Sequence, residues 1–479
     1  MRLIIIHFYL FISVIALGQN PFNNTYGYSG FEASAVIYNY KSDSFLMSIT
    51  TEYQTNNYHS YLMELNNFGI KINGSLINNK VIEINSIKEF FDLGYIINTG
   101  FYGVNNNGVE TDVLIQKTDT SGNEIWIKHY GGNQLDFSRD FEILPDSGFL
   151  IVGTTESFGE GGRDVYIVRT DKNGDSIWTK TYGNSQHGQE AYGIEKESDS
   201  VYVVAGFWGS NITYSAQVFI MKINLQGDTL AFREFGHSSV GDFPHSLCST
   251  SDGGYVICGG QQNYMGNLSL MQVIYKVDSN FNTQWVKQYG YSGHDEAMDI
   301  KECYDHGFIM VGYSQQNNKG EDVYIVRTDS IGDTLWTRTL GGAYDDRAYS
   351  VVQTPDSGFA VVGNTYSYGA GGSDAFFLKL KPNGDITISI GIVPELTDLG
   401  IKLYPNPAKE NITIDFKNTL TQEAELFIYN TLGQKVRSYS IKQQQSEISI
   451  GLIGIMPGIY YCELRTKDKI IGVGKFIKE

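Results

Sequence analysis

The chain has 479 residues, with 53 acidic against 35 basic side chains and a formal net charge of −18. Such an excess of negative charge argues against a nucleic-acid partner and against an anionic membrane surface. The 53 glycines fall at regular offsets between apolar runs, which indicates many tight turns rather than a disordered chain.

Residues 1–18, MRLIIIHFYLFISVIALG, set one early Arg before an apolar run and end on small residues ahead of Gln19. That is the pattern of a secretory signal peptide, too short for a membrane span with normal flanks. No Cys follows the expected cleavage point, so a lipid anchor is not indicated. No other apolar segment is long enough to cross a bilayer. The expected location after cleavage is secreted or on the outer cell surface.

After an Asn-, Tyr- and Gly-rich lead-in, one sentence repeats along most of the chain. Its clearest copy runs from Asp322 to Gly363, DVYIVRTDSIGDTLWTRTLGGAYDDRAYSVVQTPDSGFAVVG, with others from Asp112, Asp164 and Asp374. A period of about 50 residues is the signature of a stacked or radial repeat. Each unit holds four strand-like runs, here a (Val323 to Thr328), b (Thr334 to Leu340), c (Tyr349 to Thr354) and d (Phe359 to Gly363). Short Gly-containing turns join a to b and c to d. Near-continuous apolar runs such as YIV and FAVV point to sheets covered on both faces.

Four antiparallel strands stacked on like neighbours make a propeller blade. The d-type and a-type runs each occur seven times, so the expected fold is all-β, a seven-bladed β-propeller over residues 31–392. The array opens with c and d and closes with a and b (Ala375 to Leu380, Ile386 to Ile390), which predicts a two-plus-two closure of the seam blade. An open β-solenoid is the competing geometry. Lys71 to Glu89 fits the repeat poorly, with a b strand assigned there.

Of the four cysteines, Cys248 and Cys258 lie about the Asp252-Gly253 turn, where either a cross-strand disulfide or two buried thiols fits. Cys303 and Cys462 complete the set, and no spacing matches a zinc site.

The b-to-c and d-to-a loops share one rim and are the longer, more variable ones, so that rim is the expected binding face. Asp136, Asp295 and Asp346 recur in b-to-c loops, and Asp112, Asp164, Asp322 and Asp374 before strand a. They read as loop caps accepting backbone N–H bonds, with an acidic, cation-attracting ring as the alternative. Residues that break the repeat are better ligand-binding candidates: Trp208 and Tyr214 in one d-to-a insertion, Tyr264 in another, His187, His237 and His294 in b-to-c loops, and Asp242 close to His237. Aromatic side chains there can stack on sugars or anchor a partner.

Sharper motifs fail. Asp171, Asn173 and Asp175 stand at calcium-loop offsets, but Tyr182 occupies the place of the bidentate Glu. Trp126, Trp178, Trp285 and Trp336 recur once per unit and read as packing. No nucleophile elbow, zinc-protease helix or phosphate loop occurs, so no catalytic residue, metal or cofactor is expected.

The repeat ends near Val393 to Gly400. Short strands follow over residues 401–479, which suggests a small Ig-like β-sandwich. There LYPNPAKENITIDF, ELFIYNTLGQKV, MPGIYYCEL and the closing KFIK resemble the C-terminal sorting domain of the type IX secretion system (the Por secretion system) of Bacteroidetes. The resemblance implies an address for passage across the outer membrane, with the secretion machinery as partner. By the same resemblance Tyr404, Pro405, Asn406, Pro407, Gly433, Gly458, Tyr460 and Lys475 are its signal residues; Cys462 departs from the pattern. The expected function is a non-catalytic propeller binding a protein or glycan through the long-loop rim. A carbohydrate-active hydrolase or lyase, with acid and base drawn from separate blades of that rim, is the alternative.

Overall fold

The computed structural model describes residues 24–26, 31–39, 44–53, 57–66, 71–78, 81–90, 94–105, 108–387 and 401–479, apart from the short stretches 121, 161, 186, 211–214, 237–240, 263–269, 292, 317–319, 370–371, 417–419, 421–422, 431–434 and 467–469. The expected signal peptide lies outside these residues. Among them every named element is a strand, and seven four-stranded antiparallel sheets precede the C-terminal region.

Six sheets are made of four consecutive strands in the order c, d, a, b. The third is representative: Asp136–Ile143, Phe149–Thr155, Asp164–Thr170 and Ser176–Tyr182. The other c strands are Phe31–Asn39, Val81–Glu89, Gly188–Lys196, Asp242–Ser249, Asp295–Glu302 and Asp346–Gln353. Neighbouring c strands touch one another around the whole array, and the first also meets the seventh sheet. The sheets therefore close into a ring of seven blades, with c innermost and b outermost.

Burial follows from that stacking. The d strand FLIVGTT is buried at every position, whereas the outer SIWTKTY has no buried residue. Apolar side chains of adjacent blades merge between sheets: Phe45, Met47 and Ile49 of the first blade join Ala360, Val362 and Phe377 of the seventh. A fully buried side chain of this kind contributes about 1.5–3 kcal/mol.

The seam departs from the expected two-plus-two closure. The first blade already owns its a and b strands, Asn57–Leu65 and Lys71–Asn78, so the C-terminal strands are not needed to complete it. The seventh blade instead takes c, d and a from the end of the array and its fourth strand, Asn24–Tyr26, from the beginning. Thr25 pairs with Phe376, while Ile386 bridges Leu380 further along the same edge. The two chain ends thus share the outer edge of one strand and cover it, as the logic of edge protection requires. Residues 388–390 of the expected b strand lie outside the described residues. Lys71–Asn78 is the b strand of blade 1, and Val81–Glu89 opens blade 2.

A β-bulge interrupts every c strand. In blade 3 it falls between Ser138 and Asp140, and the same break follows Ala33, Ile84, Ala191, Pro244, Ala297 and Ala348. Bulges re-aim side chains and bend the strand. In blades 3 to 7 a glycine stands opposite the residue before the bulge; a Cβ on Gly153 would lie 2.0 Å from the Phe137 carbonyl oxygen.

The C-terminal region is built as two sheets, Lys402–Tyr404, Asn411–Asp415 and Glu447–Gly451 against Lys435–Ile441, Ala424–Asn430, Gly458–Thr466 and Ile470–Lys478. Ile412 and Ile414 from one and Leu426, Leu464 and Phe476 from the other form one buried cluster. That is a small sandwich.

Candidate functional site

The innermost strands bring the second residue of c and the bulged residue together around the ring axis. In blade 3 these are Phe137 and Arg139, in blade 4, whose c strand starts one residue earlier, Glu190 and Tyr192, in blade 5 Phe243 and His245, in blade 6 Glu296, and in blade 7 Arg347. They lie at the ends of c that join the b-to-c loops, hence at the long-loop mouth of the ring.

A continuous chain of contacts runs from blade 3 to blade 7. The Arg139 guanidinium sits 5.6 Å from the Phe137 ring centroid and 4.8 Å from that of Tyr192. Tyr192 meets the His245 ring edge-on at 5.3 Å, and His245 Nε2 stands 2.6 Å from Glu296 Oε1. Glu296 also accepts from the Tyr313 hydroxyl and lies 3.6 Å from His294 Nε2, with His294 stacked parallel on Tyr313. Arg347 then covers Tyr313 at 5.1 Å and pairs with Glu321. On the other flank Arg163 donates to Glu190 at 2.5 Å and to Glu156 at 2.9 Å.

Electrostatics fix the protonation states. Burial alone would raise the Glu296 carboxyl, but hydrogen bonds from His245, His294 and Tyr313 outweigh it and hold it well below the usual carboxylate range. Its hydrogen bond to Glu296 raises His294. Burial pushes the Tyr192 hydroxyl up, as it does Tyr313, so both stay protonated as donors. The mouth is therefore a set of fixed donors, acceptors and ring faces, with Glu296 held as an ionised acceptor rather than as a proton donor.

Of the sequence-derived candidates, His294 belongs to this cluster. Trp208 lies within strand Val201–Ser210 rather than in an insertion; it is half-buried against His187 at 6.3 Å and Phe232 at 6.0 Å. His187 Nδ1 faces Asn184 Oδ1 at 3.3 Å. Asp242 is fully buried and accepts from the Tyr275 hydroxyl and Gln261 Nε2, both at 2.6 Å, which leaves it a structural role. Tyr214, Tyr264 and His237 lie outside the described residues. Sequence reasoning passed over Glu296, His245, Tyr192 and Arg139. Their signal was positional: each stands just ahead of the apolar run of c.

Four of the recurring Asp residues act as loop caps. Asp136 accepts from Gly132 N at 2.8 Å and Ser157 Oγ at 2.7 Å, Asp295 from Tyr291 N at 2.7 Å, Asp346 from Gly342 N at 2.8 Å and Asp164 from Glu160 N at 3.0 Å. Among the described residues no group of three or more His, Cys, Asp or Glu is placed to hold a metal ion.

In the sandwich, the Tyr-Pro-Asn-Pro segment docks on the closing strand. Asn406 Oδ1 accepts from Ile477 N at 2.9 Å, and Ala408 exchanges backbone bonds with Ile477 and Glu479. The Tyr404-Pro405 and Asn406-Pro407 bonds are cis. Tyr404 is exposed and its hydroxyl donates to Glu447 at 3.1 Å. Tyr460 stacks on Phe476 at 5.6 Å, Gly458 has a positive φ, and Lys475 pairs in register with Tyr461. Gly433 lies outside the described residues. The opening motif and the tail of the address thus form one surface.

No curated protein matches the chain. Among solved structures it is similar to the β-propeller domain of the Trilobed protease from Pyrococcus furiosus, at 12% identity and TM-score 0.41 over 74% of this chain and 95% of that one. It is also similar to Sqt1 from Chaetomium thermophilum, at 10% identity and TM-score 0.38 over 83% and 96%, and to a thermostable family-43 glycoside hydrolase, at 11% and 0.34 over 57% and 99%. These overlaps are too slight to bear on what this protein does. Residues 402–479 match the family described as the secretion system C-terminal sorting domain, so the chain is a β-propeller protein carrying a type IX secretion sorting domain, bound for the cell surface or the medium.

Proposed function

We propose that the propeller is a non-catalytic binding module that holds a protein or glycan at the long-loop mouth of its ring. The sandwich would act only as its export address, with residues 1–18 as the signal peptide. The observation that carries the reading is the unbroken relay of rings and charged pairs from Phe137 to Arg347. Its members are locked by one another and so pre-organised, which lowers the entropic cost of binding.

Four exposed aromatics lie on the same rim, while Phe232 on an outer strand and Tyr304 on a c-to-d turn lie away from it. Phe158, Tyr291, Tyr344 and Tyr366 are exposed on b-to-c or d-to-a loops, whereas the exposed aliphatics Ile125, Ile177, Leu230 and Leu335 sit on outer strands. The test is retention of the full chain on a glycan array and a peptide library, beside Tyr192→Ala and Phe243→Ala. The expected result is a ligand retained by the wild type and lost, about tenfold or more, by the two variants, as for truncation of an aromatic anchor. Equal retention by all three proteins, or turnover of a retained ligand, contradicts the reading.

A further inference from the structure

Arg139 differs from the other cations of the mouth. Arg163 has Glu156 and Glu190, and Arg347 has Glu321 and Asp345. Arg139 Nη2 stands 4.0 Å from Glu190 Oε2, which is too long for a hydrogen bond. Its Nε is buried and finds no acceptor among the described residues. Glu190 cannot swing to it freely, because it already accepts from Arg163 and, at 3.0 Å, from the Tyr192 hydroxyl.

A buried donor without a partner costs about 1–3 kcal/mol, so its persistence asks what it is for. The guanidinium carbon stands over the Phe137 and Tyr192 rings, which holds the planar fork in place, and the side chain keeps 30% of its surface exposed. A fork held in this way matches the two oxygens of a carboxylate. The surrounding rim offers rings rather than a continuous apolar patch. Phe158 is braced on Tyr166 at 5.7 Å and Tyr291 on Tyr324 at 5.6 Å, each on its own loop and 43% and 45% exposed. Rings supported from behind on separate blades, interleaved with fixed polar groups, suit the alternating apolar and hydroxyl faces of sugar rings. A protein partner would instead favour a merged apolar centre ringed by polar groups.

We propose that Arg139 anchors a carboxylate and that the mouth takes a glycan bearing uronic-acid groups. The inference rests on the mouth being the binding surface. No covalent step is involved: the guanidinium donates two hydrogen bonds to the sugar carboxylate, and rim rings stack on neighbouring residues of the chain.

The test is calorimetric titration of the full chain with oligogalacturonate and oligomannuronate, each beside its carboxyl-reduced, neutral counterpart. The variants are Arg139→Gln, Arg139→Lys and Tyr192→Ala. The wild type is expected to bind at least one acidic oligomer about 10- to 100-fold more tightly than its reduced form, the worth of charge-assisted hydrogen bonds. Arg139→Gln should abolish that preference and Arg139→Lys should restore part of it, keeping charge but not the fork. Arg139→Gln gives up the ring contacts with Phe137 and Tyr192 but no close hydrogen bond, so its melting temperature should fall only slightly while its affinity for the reduced oligomers is kept, which separates a binding role from a structural one.

Equal binding of acidic and reduced oligomers, weakened only by Tyr192→Ala, overturns the carboxylate assignment and leaves the mouth as a binding surface. Retention of peptides through a terminal carboxylate, with no oligosaccharide bound, overturns the glycan. Binding of these oligomers that neither Arg139→Gln nor Tyr192→Ala changes overturns this inference and the mouth together, and no binding of either acidic oligomer overturns the inference.

Discussion

The Trp178 indole lies against Gly227 of the next blade and donates from Nε1 to the Leu225 carbonyl at 3.1 Å. Gly227 has φ +75°, and a Cβ there would come within 2.8 Å of Trp178 Cη2. The same clasp recurs as Trp126 on Gly174, Trp285 on Gly332 and Trp336 on Gly384. A basic residue two positions on reaches the same turn each time: Lys128 to Asp175, Lys180 to Asp228, Lys287 to Asp333 and Arg338 to Asp385. The once-per-unit tryptophan is therefore a fastener between blades.

Gly227→Ala should lower stability by about 1–3 kcal/mol, since it adds both a clash and a strained φ. Trp178→Ala should cost ~2–4 kcal/mol, less than a fully buried indole because Trp178 is only half-buried. Denaturant unfolding followed by circular dichroism checks both. A stable Gly227→Ala protein would mean the two blades are not clasped at this point.

Glu195 sits on the innermost strand of blade 4 and accepts from Ser249 Oγ at 3.0 Å. Burial, with the neighbouring Glu142 adding to it against the opposing pull of Lys88, pushes its carboxyl up to about 7. An unfolded Glu titrates near about 4.3, so folding favours the protonated form. Its stabilising contribution is complete below the unfolded value and is lost as pH rises through about 7. Melting temperatures from pH 4 to 8 should show Glu195→Gln gaining on the wild type as pH increases. Parallel curves would contradict this placement of the carboxyl.

Cys248 and Cys258 are free, buried thiols, as are Cys303 and Cys462. The register sets Cys248 opposite Val256 and Cys258 opposite Ser246, so the two are not cross-strand partners. Thiol titration of the unfolded chain should count four reactive groups, and reductant should leave the melting temperature unchanged. A count of two would point to a disulfide that this register does not bring about.

Much of this architecture is legible in the sequence, because a repeated unit shows its strands seven times over. The runs YIV and FAVV mark the buried middle strands, and the Gly-bearing turns mark the hairpins. The seam was not legible: Asn24–Tyr26 is three residues long and carries none of the repeat's signature, so only its pairing with Asp374–Leu380 identifies it. The longer loops of one rim are legible in the sequence, but the polar centre they surround is not. The sequence pattern places the start of strand c at Tyr349, three residues after its start at Asp346. The omitted positions are where Glu296 and Arg347 stand. The bulge that follows breaks the two-residue alternation on which strand reading depends, which hid Arg139, Tyr192 and His245.

Hydroxyl-radical footprinting of the full chain, with and without whichever glycan or peptide it retains, tests the central claim most directly. The account predicts that ligand protects Phe137, Tyr192, Phe243 and His245 at the mouth while Ile125, Ile177, Leu230 and Leu335 on the outer strands are labelled as before. Protection of the outer strands, with the mouth residues unchanged, would contradict it.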